Sequence, residues 1–81
     1  MLKRVTERLP ARKRAIEIEF RRSEPFRGLC EDFCVCAEAM TKWRSSDKPD
    51  AALRHREYAG WLQELYGEIE DWLDSLEPRP E

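Results

Sequence analysis

The sequence predicts an all-α protein built around a long antiparallel helical hairpin. Residues 24–46 and 49–77 each carry apolar side chains at alternating three- and four-residue spacing, which is the pattern of a helix with one apolar face. A short polar connection, residues 45–50, lies between them and favours antiparallel neighbours. Charged residues make up 40% of the chain and hydrophobic residues 41%, a balance typical of amphipathic helices.

The first 22 residues predict a basic arm followed by a short helix. Residues 1–10 show little apolar pattern and end at a proline, so we expect a flexible, positively charged N-terminal arm. Residues 11–22 are ambiguous because Ile16 and Ile18 alternate as they would in a strand. A lone strand would have no pairing partner, and most of the other residues favour helix. We therefore predict a short helix over residues 11–22.

The helix predicted over residues 24–46 begins at a clear start signal. Ser23 can accept hydrogen bonds from the amides of the first turn, Glu24 suits the positive end of the helix dipole, and Pro25 is tolerated there. The apolar stripe of this helix consists of Phe26, Leu29, Cys30, Phe33, Cys36, Ala37, Met40 and Trp43. This stripe predicts one buried face.

The last predicted helix, residues 49–77, has Pro49 in its first turn and is stopped by Pro78. Its apolar stripe consists of Ala51, His55, Tyr58, Leu62, Leu65, Ile69, Trp72 and Leu76. Residues 78–81 are expected to form a short C-terminal tail. The spacing again predicts a helix with one buried face, facing the stripe of the preceding helix.

The length of the chain predicts one small helical domain, residues 11–77, that associates with a second copy. A domain of 81 residues buries a modest fraction of its surface. Two helices alone would leave part of each broad apolar stripe exposed to water. We therefore expect a homodimer with a four-helix bundle as its core.

The cysteine content and the hydropathy predict a soluble cytoplasmic protein. Three cysteines, an odd number without a leader sequence, argue against a secreted disulfide framework. No segment approaches the roughly 20 apolar residues that cross a bilayer, so we expect no contact with a membrane.

No residue pattern in the chain predicts an active site, a cofactor or a metal. The cysteines follow the pattern CxxxCxC, which is not a usual zinc spacing, and the Glu-x-x-His pairs of two-metal bundles are missing from the sequence. We expect a protein without enzymatic activity. On a helix, Cys30 and Cys36 fall on the apolar stripe, whereas Cys34 should face outward. Cys34 is therefore the candidate for oxidation or crosslinking.

Four residues of the last helix are candidate contacts for a protein partner that the sequence does not identify. Trp61 lies at the edge of the apolar stripe and Tyr66 flanks it. Gly60 and Gly67 are seven residues apart, and each costs about 1 kcal/mol relative to alanine inside a helix. They could let the first helix or a partner approach closely, or they could be tolerated surface glycines. The sequence thus favours a protein interaction or structural module.

The distribution of charge leaves a second function open. Residues 1–22 hold eight Lys and Arg against three Glu, whereas residues 47–81 hold four against ten acids. The two ends could attract each other within one chain or across a dimer. The alternative function is nucleic-acid binding by a regulatory protein through the basic N-terminal region. The candidate contacts are Arg12, Lys13, Arg14, Arg21 and Arg22.

Three segments of the chain resemble a group of small bacterial helical proteins without assigned activity. They are residues 23–33, with the sequence SEPFRGLCEDF, residues 39–44, with AMTKWR, and residues 56–73. The likeness covers about two thirds of the chain. It implies a bacterial, cytoplasmic, all-helical protein and carries over no site residues. In outline the hairpin is also similar to Rop-type dimeric bundles, which bind RNA; this likeness rests on architecture alone.

Overall fold

The computed structural model describes residues 2–76, which form four α-helices joined by short connections. The helices are α1 (Leu2–Arg8), α2 (Lys13–Arg22), α3 (Glu24–Arg44) and α4 (Ala51–Leu76). A 3-10 turn, Pro10–Arg12, joins α1 to α2. The described part contains no strand, which confirms the all-α class. The predicted tail at residues 78–81 and the predicted last residue of the final helix lie outside the described residues.

Helix α1 occupies the segment for which the sequence predicts a flexible arm. Residues 2–8 are instead helical and pack against α3, with the side chain of Val5 buried in the core. The physical reason is the spacing of Leu2, Val5 and Leu9, since residues three and four apart share one face of a helix. Three apolar side chains therefore suffice to hold this first segment on the domain.

Helix α2 confirms the prediction of a helix rather than a strand in the segment 11–22, although its first residues form the 3-10 turn. Ile16 is 0% exposed and Ile18 is 50% exposed. Residues two apart on a helix point about 200° apart, whereas in a strand they would share one face. The contrast in exposure between these two isoleucines is thus the consequence of the helical period.

The junction between α2 and α3 is held by local hydrogen bonds. The Phe26 N–H donates to Ser23 Oγ at 3.2 Å, which is the cap that the sequence predicts. Arg27 Nη1 donates to the carbonyl oxygens of Phe20 at 3.0 Å and Arg21 at 3.2 Å. These two bonds satisfy carbonyl groups that the end of α2 leaves without helical partners. Both helix ends at this corner are therefore stabilised by side chains.

The connection between α3 and α4 spans residues 45–50, the polar segment that the sequence marks as the break between the helices. Helix α3 ends at Arg44, two residues before its predicted end, and α4 begins at Ala51, two residues after its predicted start. The Ser45 N–H donates to the Thr41 carbonyl at 3.3 Å and closes the last turn of α3. Pro49 lies in the connection and not in the first turn of α4.

One hydrophobic core unites the four helices, and its largest contact lies between α3 and α4. The ring of Phe26, near the start of α3, lies 5.7 Å from that of Trp72, near the end of α4. Helices α1 and α2 pack on α3. The buried side chains are Val5, Ile16, Phe26, Cys30, Phe33, Cys34, Ala37, Leu62, Ile69 and Leu73. None of the helices in residues 2–76 has both the length and the hydropathy that a bilayer crossing needs.

Candidate functional site

The carboxylate of Glu19 is buried in the core and ties α2 to α4. It accepts a hydrogen bond from Trp72 Nε1 at 2.7 Å, and Arg22 Nε lies 3.2 Å from its other oxygen. Hydrogen bonds to a charged acceptor are among the stronger ones in proteins. A second link, the ion pair between Arg12 and Asp74, joins the 3-10 turn that precedes α2 to α4. The Arg12–Asp74 pair thus joins the basic N-terminal part of the chain to the acidic C-terminal part within one molecule.

The five basic residues that the sequence identifies as candidate nucleic-acid contacts fall into two groups. Arg12 and Arg22 each lie against a carboxylate. The side chains of Lys13, Arg14 and Arg21 are exposed, and they line one shallow hollow together with Ile18 and with Pro10, Ala11 and Glu17. We call Lys13, Arg14, Ile18 and Arg21 the α2 basic face. It points away from the core, because Ile16 and Glu19 occupy the buried side of the helix.

A groove runs between α3 and α4 and has an apolar floor. It consists of two adjoining hollows of about 630 and 340 Å³ that share Asp32 and Glu68. Its apolar lining comprises Pro25, Leu29, Val35, Cys36, Trp61, Leu65 and Trp72. Val35 is 63% exposed and Trp61 is 46% exposed, so the floor presents large apolar side chains to water. We call this surface the α3–α4 groove.

The rim of the α3–α4 groove is acidic. Four exposed carboxylates line it, from Asp32 of α3 and from Glu64, Glu68 and Asp71 of α4. The lining contains no lysine or arginine, and none of these four carboxylates belongs to an ion pair within residues 2–76. Like charges that converge around an apolar floor favour a partner of opposite charge.

Of the four candidate contact residues, only Trp61 lines the groove. Its ring stacks edge to face with that of Tyr58 at a centroid distance of 5.0 Å, which fixes its orientation. Tyr66 is half-buried and packs against the core. A methyl group added at Gly60 or Gly67 would meet no atom within 4 Å, so within residues 2–76 no helix uses these glycines for close approach. Their role toward a partner stays a prediction.

The expectation that Cys34 faces outward is wrong. Cys34 is 7% exposed, because α1 packs against α3 and contributes Val5 to the core cluster that contains Cys34. Burial raises the pKa of the Cys34 thiol, and the nearby Arg4 guanidinium opposes that rise. Burial raises the pKa of Cys30 to about 12, and it also raises the pKa of Cys36. All three side chains are therefore protonated at neutral pH.

These pKa shifts predict slow thiol chemistry in the folded protein. At pH 8 the three thiols should react with a disulfide reagent far more slowly than in the urea-unfolded chain, because the thiolate is the reactive form. Cys36 is half-buried and lines the groove, so it should react first, and the fully buried Cys30 should react last. Mass spectrometry of partly labelled protein gives the order. Labelling of Cys34 before Cys36 would contradict the placement of α1.

The described residues offer no cluster for a metal ion. Within residues 2–76, no group of three or more His, Cys, Asp or Glu side chains is placed to hold one. His55 is half-buried and lines a hollow of about 570 Å³ with Trp43, near the connection between α3 and α4. The chemistry that the α3–α4 groove offers is that of apolar contact and negative charge.

Sequence reasoning misses Glu19, Val35 and the acidic rim as functional features. A signal exists for Glu19, because it follows Ile16 by three residues and thus shares the buried side of α2. Val35 lies off the apolar stripe, and no sequence signal places it beside Trp61. The four acids of the rim look like an ordinary solvated helix face until the packing of α3 on α4 brings them together.

The chain matches no protein-family model, no curated protein and no solved structure. Its function is therefore inferred from the geometry and the charge of the surfaces described above.

Proposed function

We propose that the chain is a non-enzymatic interaction module that binds through the α3–α4 groove and forms a homodimer there. The observation that carries this proposal is the exposure of Val35 and Trp61 in one continuous groove. Full burial of one such side chain contributes about 1.5–3 kcal/mol. Because Val35 is 63% exposed and Trp61 is 46% exposed, a second copy that covers both would gain about half of that amount from each side chain.

We infer further that α3 and α4 form an antiparallel hairpin, and that two hairpins build a four-helix core. The contact between Phe26 and Trp72 at one end supports this arrangement, as does the hollow that Trp43 and Ala51 share at the other end. Helices α1 and α2 contribute to the same core. Docking through the groove would add the second pair of helices.

The lining of the groove supports binding and not chemistry. Its carboxylates are exposed and separated by apolar side chains, whereas a catalytic acid or base works next to a reacting group in a site that excludes water. The combination of an apolar floor with a charged rim is typical of protein interfaces, where the floor supplies affinity and the rim selects the partner.

Changing Val35 to glutamate tests the groove as the dimer surface. The wild type should show twice the 9.7 kDa chain mass by size-exclusion chromatography with light scattering. Val35→Glu should raise the dissociation constant by about tenfold or more, since it places a charge on the apolar floor beside an acidic rim.

The matched control is Leu53→Glu, which adds the same charge at another exposed aliphatic residue outside the groove. It should leave the dissociation constant within about twofold of the wild type, a change of under about 0.5 kcal/mol. A wild type that keeps the mass of one chain at high micromolar concentration would remove the dimer from the proposal. Equal increases of the dissociation constant in the two variants would show that the groove is not the dimer surface.

Nucleic-acid binding through the α2 basic face is the second candidate. The exposure of Lys13, Arg14 and Arg21 on one face of α2 favours it. Glu17 lies in the same hollow, and Arg12 and Arg22 already lie against carboxylates, which weakens it. Titration of labelled RNA and DNA at rising salt concentration tests this candidate, because binding driven by phosphate contacts weakens steeply with salt.

A further inference from the structure

The α2 basic face and the α3–α4 groove are complementary in chemistry. The face presents an exposed isoleucine, Ile18, among three exposed cations. The groove presents Val35 and Trp61 among four exposed carboxylates. Within residues 2–76, none of these seven charged side chains belongs to an ion pair. These side chains are therefore available for a contact between molecules, although Glu17 also lines the hollow of the basic face.

Helix α2 and the α3–α4 groove also have similar lengths. Helix α2 has 10 residues and is about 15 Å long at a rise of 1.5 Å per residue. The groove follows α3 from Pro25 to Cys36, a distance of about 16 Å by the same rise. One copy of α2 thus matches the length of one groove.

A chain cannot place its own α2 basic face in its own groove. The buried side of α2 is held on the domain by Ile16 in the core and by Glu19, which accepts the hydrogen bond from Trp72. The basic face lies on the other side of the helix and points to solvent. Only another molecule can bring such a face to the groove.

From these observations we propose that the α2 basic face of each copy docks into the α3–α4 groove of a second copy. This proposal rests on the proposed homodimer and names the surfaces that form it. The exchange is reciprocal, so a two-fold axis relates two identical contacts and closes the assembly at two chains. Ile18 packs on the floor near Val35 and Trp61, and the three cations face the acidic rim.

Complementary charge reversal tests the proposal. The double variant Lys13→Glu with Arg14→Glu reverses the charge of the α2 basic face at the start of the helix. Acidic residues in the first turn stabilise a helix. Glu64→Lys with Glu68→Lys reverses the rim on α4. Each double variant alone should raise the dissociation constant of the homodimer by about tenfold or more, because like charges then meet in both contacts. An equimolar mixture of the two should recover a heterodimer, since both contacts pair opposite charges again.

The matched control is Glu31→Lys with Glu38→Lys, which changes net charge as the rim variant does but at exposed positions of α3 outside the groove. It should dimerise like the wild type and should not associate preferentially with the variant carrying Lys13→Glu and Arg14→Glu. Circular dichroism of every variant reports whether the helices are retained. Sedimentation velocity, with one variant of each mixture labelled, measures the association.

Three outcomes would overturn the docking proposal. If the wild type dimerises but the mixture of reversed variants stays monomeric, the homodimer stands and the docking of α2 is wrong. If the wild type is monomeric at high micromolar concentration, the homodimer and the docking of α2 are both wrong. If the reversal of Lys13 and Arg14 leaves the dimer intact but removes binding of labelled RNA, the basic face serves nucleic acid instead.

Discussion

Replacing Ile16 with alanine should lower the free energy of unfolding by about 2–5 kcal/mol. Ile16 is fully buried in the core that unites the four helices, so the change leaves a cavity as well as removing apolar contact. Small domains are stable by only about 5–15 kcal/mol, which makes this a large fraction of the total. Urea denaturation followed by circular dichroism at 222 nm measures the loss.

The same substitution at Ile18, two residues along the same helix, is the matched control. Its side chain is half exposed, and exposed substitutions usually change stability by no more than about 0.5 kcal/mol. Both variants should be measured well below the dissociation constant of the dimer, because Ile18 belongs to the proposed docking face. Equal losses at Ile16 and Ile18 would contradict the orientation of α2, since they would place both side chains on one buried face.

Replacing Trp72 with phenylalanine should destabilise the fold by about 2–3 kcal/mol. The change keeps an aromatic ring next to Phe26 but removes the Nε1 donor that bonds the buried carboxylate of Glu19. Hydrogen bonds to charged groups contribute about 1.5–3 kcal/mol, and the smaller ring adds a packing loss. Urea denaturation by circular dichroism is again the measurement, because fluorescence would change with the tryptophan itself.

Trp61→Phe is the control for this prediction, since it makes the same substitution on the same helix at an exposed ring. It should change the stability of the monomer by less than about 0.5 kcal/mol. A loss at Trp72 no larger than the loss at Trp61 would show that the bond to Glu19 contributes little. Helix α2 would then be held on the domain by its apolar contacts and by the hydrogen bonds that Arg27 donates to it.

The helices and their buried faces follow from the sequence because their signals are local. Ser23 caps α3 as predicted, and Phe26, Cys30 and Phe33 of its predicted stripe are buried because helical spacing gathers them on one side. Helix α1 is harder to foresee, since its seven residues are too few to form a stable helix alone. It is stabilised by the burial of Val5 against α3, which is a tertiary contact.

The candidate site is less predictable because it depends on which faces other elements cover. Cys34 and Val35 both lie off the predicted stripe, yet α1 covers Cys34 and leaves Val35 open. The sequence identifies Trp61 as a contact candidate but not the carboxylates around it. Those acids become a rim only when α3 and α4 pack together and align Asp32 with Glu68.

The most direct measurement of the central claim is a dilution series of two-dimensional NMR spectra of the wild-type chain. If the groove and the α2 basic face form the contact between copies, the amide signals that move with concentration should cluster around Val35, Trp61 and Ile18. Signals around Leu53, which is exposed and lies outside both surfaces, should stay in place. Movement that leaves the signals of Val35, Trp61 and Ile18 in place, or no movement up to millimolar concentration, would contradict the claim that this protein functions by binding through its groove.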